Sequence, residues 1–403
     1  MKRSMAPKKH HGFTLVEVII VMALFMTVIM VAAQTFKNII TQSAKYSKSE
    51  ESSMEGIIGL ELLRHDLEQM GFGLYWGYLP GSSINYAEAA DADATTNDAP
   101  SNVPRAFVAL NNSAAFSSDF MGIKGTTMGS SKASQRWSYI PFHNFSSSPS
   151  WSSRPVNWAA KNLMPGDRTI VIRHNFNDPT DDHLLLDTTG TEYTVLTTGS
   201  EPTNPYLPLK DQQLSMVYGI DQSSVTLRMP FNRADFFITT DTIAGKSVPP
   251  FCAEQTGVLY KAMVSHVNSG HYDYMPLLDC VAEMQVVLGW DISDGGRAKS
   301  ISAYSNADGS VVAGGASSTD VQGWLASPVG IREHLKLVKV YILAQEGRKD
   351  PGYSYPAATM VVGNENNGET SLTGTHTFTT AQRQYHWKLY RVIARPKNLT
   401  NNQ

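Results

Sequence analysis

The chain has 403 residues, 42% of them hydrophobic and 17% charged, with a formal net charge of -3. That length accommodates an anchor plus one large or two modest domains, since single cores stop growing near ~250–300 residues. The balanced charge argues against a nucleic-acid binder, which carries a basic patch or a high pI.

Basic residues do cluster at one place: Lys2, Arg3, Lys8 and Lys9 stand directly before the first apolar run. Residues 13–36, FTLVEVIIVMALFMTVIMVAAQTF, predict a helix roughly 36 Å long at ~1.5 Å per residue, enough to cross a hydrocarbon core of ~30 Å. A cleaved secretory signal has a shorter apolar core of ~7–15 residues, with a small-residue cleavage site after it. An ordinary anchor has no need of Glu17 inside its apolar stretch, because an intramembrane carboxylate is costly and wants a partner. The remaining possibility is a signal cut ahead of the apolar segment, which then stays on the mature protein.

The residues that decide are Lys8 to Val18, KKHHGFTLVEV. They resemble the type IV prepilin recognition sequence: a short basic leader, Gly12, aromatic Phe13, then Thr14, Leu15, Val16 and Glu17 in register before an apolar helix. The resemblance implies that an inner-membrane aspartyl peptidase cuts between Gly12 and Phe13 and methylates the new amine of Phe13. It also implies that Glu17 meets that amine on a neighbouring subunit during assembly, an attraction strengthened by low dielectric and offset by desolvation. One departure is Gln34, where major pilins commonly carry a helix-kinking proline. With no proline or glycine over residues 13–55, the helix is expected to be straighter, which leans towards a minor pilin or pseudopilin.

Beyond the anchor, polar residues give way to Ile57, Leu60, Leu63, Leu67 and Met70, spaced as one stripe of an amphipathic helix that packs on its own domain. Gly56 and Gly59 weaken this helix and suit local flexing; Gly71 and Gly73 end it, with Gly71 placed as a C-terminal cap. His65, beside Asp66 and Glu68, is expected on a solvated face. Residues 74–155 hold an Ala/Asp-rich stretch (AEAADADATTNDAP) and a serine-rich one (NFSSSPSWSSRP), which read as long surface loops with occasional short strands. The aromatics Trp137, Tyr139, Phe142, Phe145 and Trp151 read as packing against the adjoining sheet, with a binding patch as the alternative.

From residue 165 strand signals dominate: PGDRTIVIRH, SSVTLRMPF, the stretch through Met284–Trp290, LKLVKVYILAQ and YHWKLYRVIA. A long helix, variable loops and then a mostly antiparallel sheet indicate the α+β class. Several pieces resemble PilW-type minor pilins: LLRHDLEQMGFG, TGVLY after Cys252, PLLDCVAEMQVVLGWD, and the two closing strands. The resemblance implies a leader over 1–12, a transmembrane and filament-core helix over 13–36 and its amphipathic continuation over 37–73. A loop-rich variable region over 74–155 and a β-rich globular domain over 156–403 follow. It also implies a role in the inner-membrane complex that primes pilus assembly and caps the tip. The expected partners are other minor and major pilins, the prepilin peptidase, the assembly platform and membrane lipid, with the globular domain in the periplasm. A type II secretion pseudopilin, and a tip adhesin using the 74–155 loops, are the rival readings; pilus-based adhesion and twitching motility belong to the same family.

Cys252 and Cys280, 28 positions apart, read as one disulfide in an exported protein and as two buried thiols in a cytosolic one. No HExxH, glycine-rich phosphate loop, G-x-S-x-G elbow or paired CxxC occurs, so neither an enzyme nor a cofactor is expected. The metal candidate is calcium in the oxygen-rich loop of Asp291, Ser293 and Asp294, with Asp308 further on. An EF-hand-like loop needs an acid at its twelfth position, which here is Ser302, so an ordinary turn is the preferred reading.

Overall fold

A computed structural model describes residues 14–82, 84–142, 162–177, 182–187, 193–196, 206–222, 227–296, 300–363 and 371–400; for residues 41, 44–55, 196, 296 and 400 it describes the backbone alone. Chain order runs α1 (Leu15–Gln69), β1 (Gly77–Tyr78), β2 (Phe107–Leu110), β3 (Phe120–Gly125), β4 (Trp137–Pro141), β5 (Arg168–Asn175), β6 (Leu184–Leu185), β7 (Val195–Leu196) and β8 (Gln213–Asp221). It continues through β9 (Asn232–Thr239), β10 (Gly257–Val264), β11 (Tyr272–Trp290), β12 (Ala303–Ser305), β13 (Val312–Gly314), α2 (Ser318–Ala326) and α3 (Pro328–His334). The last elements are β14 (Leu335–Glu346), β15 (Thr359–Val361), β16 (Thr375–Thr377), β17 (His386–Ala394) and α4 (Lys397–Thr400). A long apolar helix leads into a mostly antiparallel β domain, the α+β class expected.

The larger sheet runs β13-β12-β11-β10-β9-β3-β2, with β14 and then β17 attached through β11. Strand β11 is its spine: residues up to Val281 pair with β10, and residues from Val281 onward pair with β14. The smaller sheet runs β1-β6-β5-β8-β4, antiparallel except for the β1–β6 pair. In β14 every residue from Leu335 to Gln345 is buried, so the strand reads as a run, LKLVKVYILAQ, rather than as an alternation.

Helix α1 joins anchor and domain in one rod. Its C-terminal half buries Leu60, Leu63, Leu67 and Met70 in the main core. Ile57, placed by spacing on that stripe, is 57% exposed, and the buried positions at that level are Gly56 and Gly59. The glycines serve close approach rather than flexing. A Cβ on Gly59 would collide with the Leu277 carbonyl oxygen, and one on Gly56 would press on Leu278 Cδ1 at 3.0 Å. Asp66 lies on the same buried face and pairs with Lys261 at 2.7 Å, while His65 is solvated as expected. The helix ends at Gly71, whose φ of +78° suits glycine, and Asn398 Nδ2 donates to the Gln69 and Met70 carbonyls at 3.2 and 3.3 Å.

Two expectations need correction. The region from 74 to 142 is not chiefly surface loop: all six residues of β3 are buried, and β2 and β3 extend the large sheet beyond β9. The stretch SSVTLRMPF is not a strand in its described part, Leu227–Phe231; it turns into β9, burying Leu227, Met229 and Phe231 on the way. The serine-rich segment, with Phe145 and Trp151, lies outside the described residues, whereas Trp137 and Tyr139 are half-buried on β4.

Cys252 and Cys280 form a disulfide across the start of β10 and the bulge in β11. Its 28-residue loop implies that the Cys252→Ser/Cys280→Ser protein loses about 3 kcal/mol in urea unfolding, from the loop-closure entropy restored to the unfolded chain. Two reactive thiols in unreduced wild-type protein would overturn this.

Candidate functional site

Physics singles out the free half of α1. From Thr14 to Ile40 every residue is exposed, including Leu15, Val16, Phe25, Met26 and Phe36, each more than 60% open to solvent. Leu15–Ile40 is long and apolar enough to cross a membrane: 26 residues make a rod of about 39 Å. An aqueous domain cannot leave that much contiguous apolar surface wet, so lipid or other apolar helices must cover it. No proline or glycine interrupts this half, which belongs to one continuous helix.

At its start the helix is organised by a reciprocal cap. Thr14 is the N-cap in extended conformation, and its Oγ1 accepts a hydrogen bond from the Glu17 backbone N–H at 3.4 Å. Glu17 Oε2 in turn accepts from the Thr14 N–H and from Thr14 Oγ1, both at 2.9 Å. Two of the donors that a helix start leaves unsatisfied are thereby bonded, and the carboxylate sits at the positive end of the helix dipole. Both bonds use Oε2, so Oε1 faces outward without a hydrogen bond among the described residues. One carboxylate can therefore close its own helix end and still present an oxygen to a cation from elsewhere. Thr14 was missed as a functional residue in the sequence, although its signature, a threonine three positions before a glutamate at the head of an apolar run, is legible there.

Gly12 and Phe13 lie outside the described residues. The oxygen-rich loop is described and is occupied by its own hydrogen bonds. Asp291 is fully buried, and its Oδ1 accepts from the Ser293 N–H at 2.9 Å and from Ser293 Oγ at 2.7 Å. Asp294 opens a short turn, and Asp308 closes a separate one by accepting from Ser310 N and Oγ. These contacts build turns.

A second polar constellation was not foreseen. Lys124 Nζ lies 2.7 Å from Glu88 Oε2 and 2.6 Å from Asp98 Oδ2, with Arg105 Nε 2.6 Å from Asp98 Oδ1. Arg233 bonds Glu88 and Asp235 at 2.8 Å each, and Tyr272 Oη donates to Asp235 Oδ2 at 2.5 Å. Three cations face three carboxylates, and the side chains of Lys124, Glu88, Arg233 and Asp235 are fully buried. Burial pushes the Asp98 carboxyl upward, but Lys124 and Arg105 outweigh it and hold the group below the ordinary range. Every acceptor here is used by a partner within the chain, which marks the cluster as structural: it fixes the Ala/Asp-rich stretch onto β3 and β9.

Comparison with known proteins agrees with the reading of the N-terminus. Residues 7–33 match the family model described as the prokaryotic N-terminal methylation motif, a span that includes Gly12, Phe13, Thr14 and Glu17. No curated protein and no solved structure matches the chain. The motif and the exposed apolar helix behind it are consistent with membrane anchoring and support a type IV prepilin-like protein.

Proposed function

We propose that this chain is a minor pilin, a structural subunit that enters a type IV pilus assembly through its N-terminal helix and helps prime or cap the fibre. The observation that carries the reading is the division of α1: one continuous helix is wholly uncovered from Thr14 to Ile40 and buried along one face in its own domain from Gly56 to Met70. Such a rod leaves one half for lipid before assembly and for neighbouring helices after it. The matched motif supports cleavage between Gly12 and Phe13 with methylation of Phe13, and the outward Oε1 of Glu17 suits the amine so created on an adjacent subunit. The partners on this reading are the prepilin peptidase, other pilins and the inner-membrane assembly platform, with the β domain in the periplasm. The pieces resembling PilW-type proteins favour the minor-pilin reading, and the absence of a kinking proline favours a minor subunit or its counterpart in a secretion pseudopilus over a major one. The role is assembly rather than catalysis.

Glu17→Ala should be processed normally, shown by a mature N-terminus at Phe13 on sequencing. It should enter purified filaments at least about tenfold less than wild type, because the amine of the adjoining subunit loses its counter-charge. Wild-type-like incorporation removes the role of Glu17, and a cellular protein that still begins at Met1 removes the prepilin reading altogether.

A further inference from the structure

We propose that His174, Asp182 and His183 form a binding site for one divalent transition-metal ion, zinc foremost, at the loop end of the β5–β6 hairpin. The topology brings them together. Ile172 pairs with Leu185 and Arg173 with Leu184, so the next step of the same antiparallel register sets His174 opposite His183. Their ring centroids are 3.9 Å apart. Asp182 adds the third arm: Oδ1 lies 3.6 Å from His174 Nδ1, and Oδ2 lies 2.9 Å from His183 Nδ1. One ligand atom from each residue, two ring nitrogens and a carboxylate oxygen, falls within 4.8 Å of the other two.

Two further observations indicate a ligand rather than an ordinary contact. His174 Nε2 is buried yet has no hydrogen-bond partner among the described residues, and His183 Nδ1 has only the Asp182 carboxylate beside it. A buried polar atom left unpaired costs free energy and calls for an explanation, which a coordinated ion supplies. The arms are also fixed in advance. Asp182 Oδ1 accepts from the Asn175 N–H at 3.0 Å and from the His183 N–H at 2.8 Å, which sets the carboxylate. The His183 imidazole is stacked on the Trp76 indole at 3.6 Å and 7°, and the Trp76 backbone N–H donates to the His183 carbonyl at 2.8 Å. His183 itself has a φ of +52°, uncommon outside glycine, and these contacts hold it there.

The donor set selects the ion. Two imidazoles and one carboxylate suit zinc or a neighbouring first-row ion, whereas calcium and magnesium require more oxygens than this site offers. Three protein ligands leave a fourth position for water. Coordination would clamp the two strands of the hairpin at the end next to their connecting loop. The inference stands independently of the pilin reading.

The test is calorimetric titration of zinc chloride into full-length protein in detergent, stripped with EDTA and freed of it, with thermal unfolding in parallel. One zinc per chain and a raised unfolding midpoint are expected. Both should persist in His10→Ala/His11→Ala, which removes the histidine pair of the N-terminal basic segment. Binding should weaken by more than about 100-fold in His174→Ala/His183→Ala, beyond the ~10–100-fold that loss of an outer partner costs. Asp182→Asn guards against misfolding, because its side-chain oxygen can still accept the two backbone N–H groups while the charge is gone; it should bind at least about tenfold more weakly. The site is refuted if stripped wild type takes up no zinc, if Asp182→Asn binds as tightly as wild type, or if calcium stabilises equally well.

Discussion

Replacing Arg233 by methionine should cost the domain about 3–5 kcal/mol in urea unfolding. The guanidinium is fully buried and serves five acceptors: Glu88 Oε2, Asp235 Oδ1, the Thr96 carbonyl, Thr96 Oγ1 and Asn97 Oδ1. Methionine fills much of the volume but leaves Asp235 buried with only the Tyr272 hydroxyl, and leaves Glu88 to share Lys124 with Asp98. The loss therefore comes from uncompensated charge rather than from a missing attraction, since an intact buried pair contributes little net stability over a well-packed apolar one. Adding Asp235→Leu to Arg233→Met should recover part of the loss, while Arg233→Lys, a point charge unable to span the same fork of acceptors, should fall between wild type and methionine. A loss below about 1 kcal/mol for Arg233→Met, or an additive double variant, contradicts the scheme.

The same cluster explains why one part of the fold was hidden in the sequence. AEAADADATTNDAP reads as a solvated loop because its acids look unpartnered within any local window; their partners are Lys124, 26 positions from Asp98, and Arg233, 145 positions from Glu88. Strand β9 begins Asn232-Arg233-Ala234-Asp235, too polar for a core strand by composition, because the cluster neutralises it. The preceding Leu227, Met229 and Phe231 show the opposite error: they alternate and are apolar because a turn buries them, so burial imitates a strand. Where one requirement dominates, the sequence is transparent. The apolar helix from Leu15, the stripe Leu60-Leu63-Leu67-Met70, strand β5 and strand β14 are each written in a local run of residues. The half-buried face needed more than periodicity, since Gly56 and Gly59 carry no side chain to register on it and Ile57 and Ile58 turn outward. The N-terminal motif was legible for the same local reason, whereas His174 and His183 meet only through strand register.

Asp119 should make stability fall as pH rises from about 4 to about 7, by about 4 kcal/mol at most. Its carboxylate is fully buried where the large sheet has a gap: beyond the end of β10 and before β12, the N–H of Val286 on β11 donates to Asp119 Oδ2 at 2.7 Å. The Asn112 N–H donates to Oδ1 at 2.9 Å, and the Asp119 N–H donates to the Met284 carbonyl at 2.9 Å. Burial pushes the group up, the two backbone donors pull it down, and Asp308 and Glu283 push it up again, leaving it at about 7. Between the ordinary carboxylate value and 7 the folded chain holds a proton that the unfolded chain has released. The unfolded state thus binds fewer protons, and stability decreases with pH through that window, then levels off above 7. Buried His266, lowered to about 4 chiefly by desolvation, acts in the opposite sense, adding stability as pH rises from about 4 to 6.5. The two contributions overlap in wild type, so Asp119 must be isolated by difference. Asp119→Asn stays neutral throughout and should unfold at lower urea at every pH, because its amide nitrogen faces one of the two backbone donors. Its gap from wild type should narrow from pH 4 to pH 7, as wild type alone loses the contribution of the carboxyl proton. Parallel urea midpoints for the two proteins across that range would mean that Asp119 is ionised in the fold throughout, and that its two backbone donors outweigh its burial.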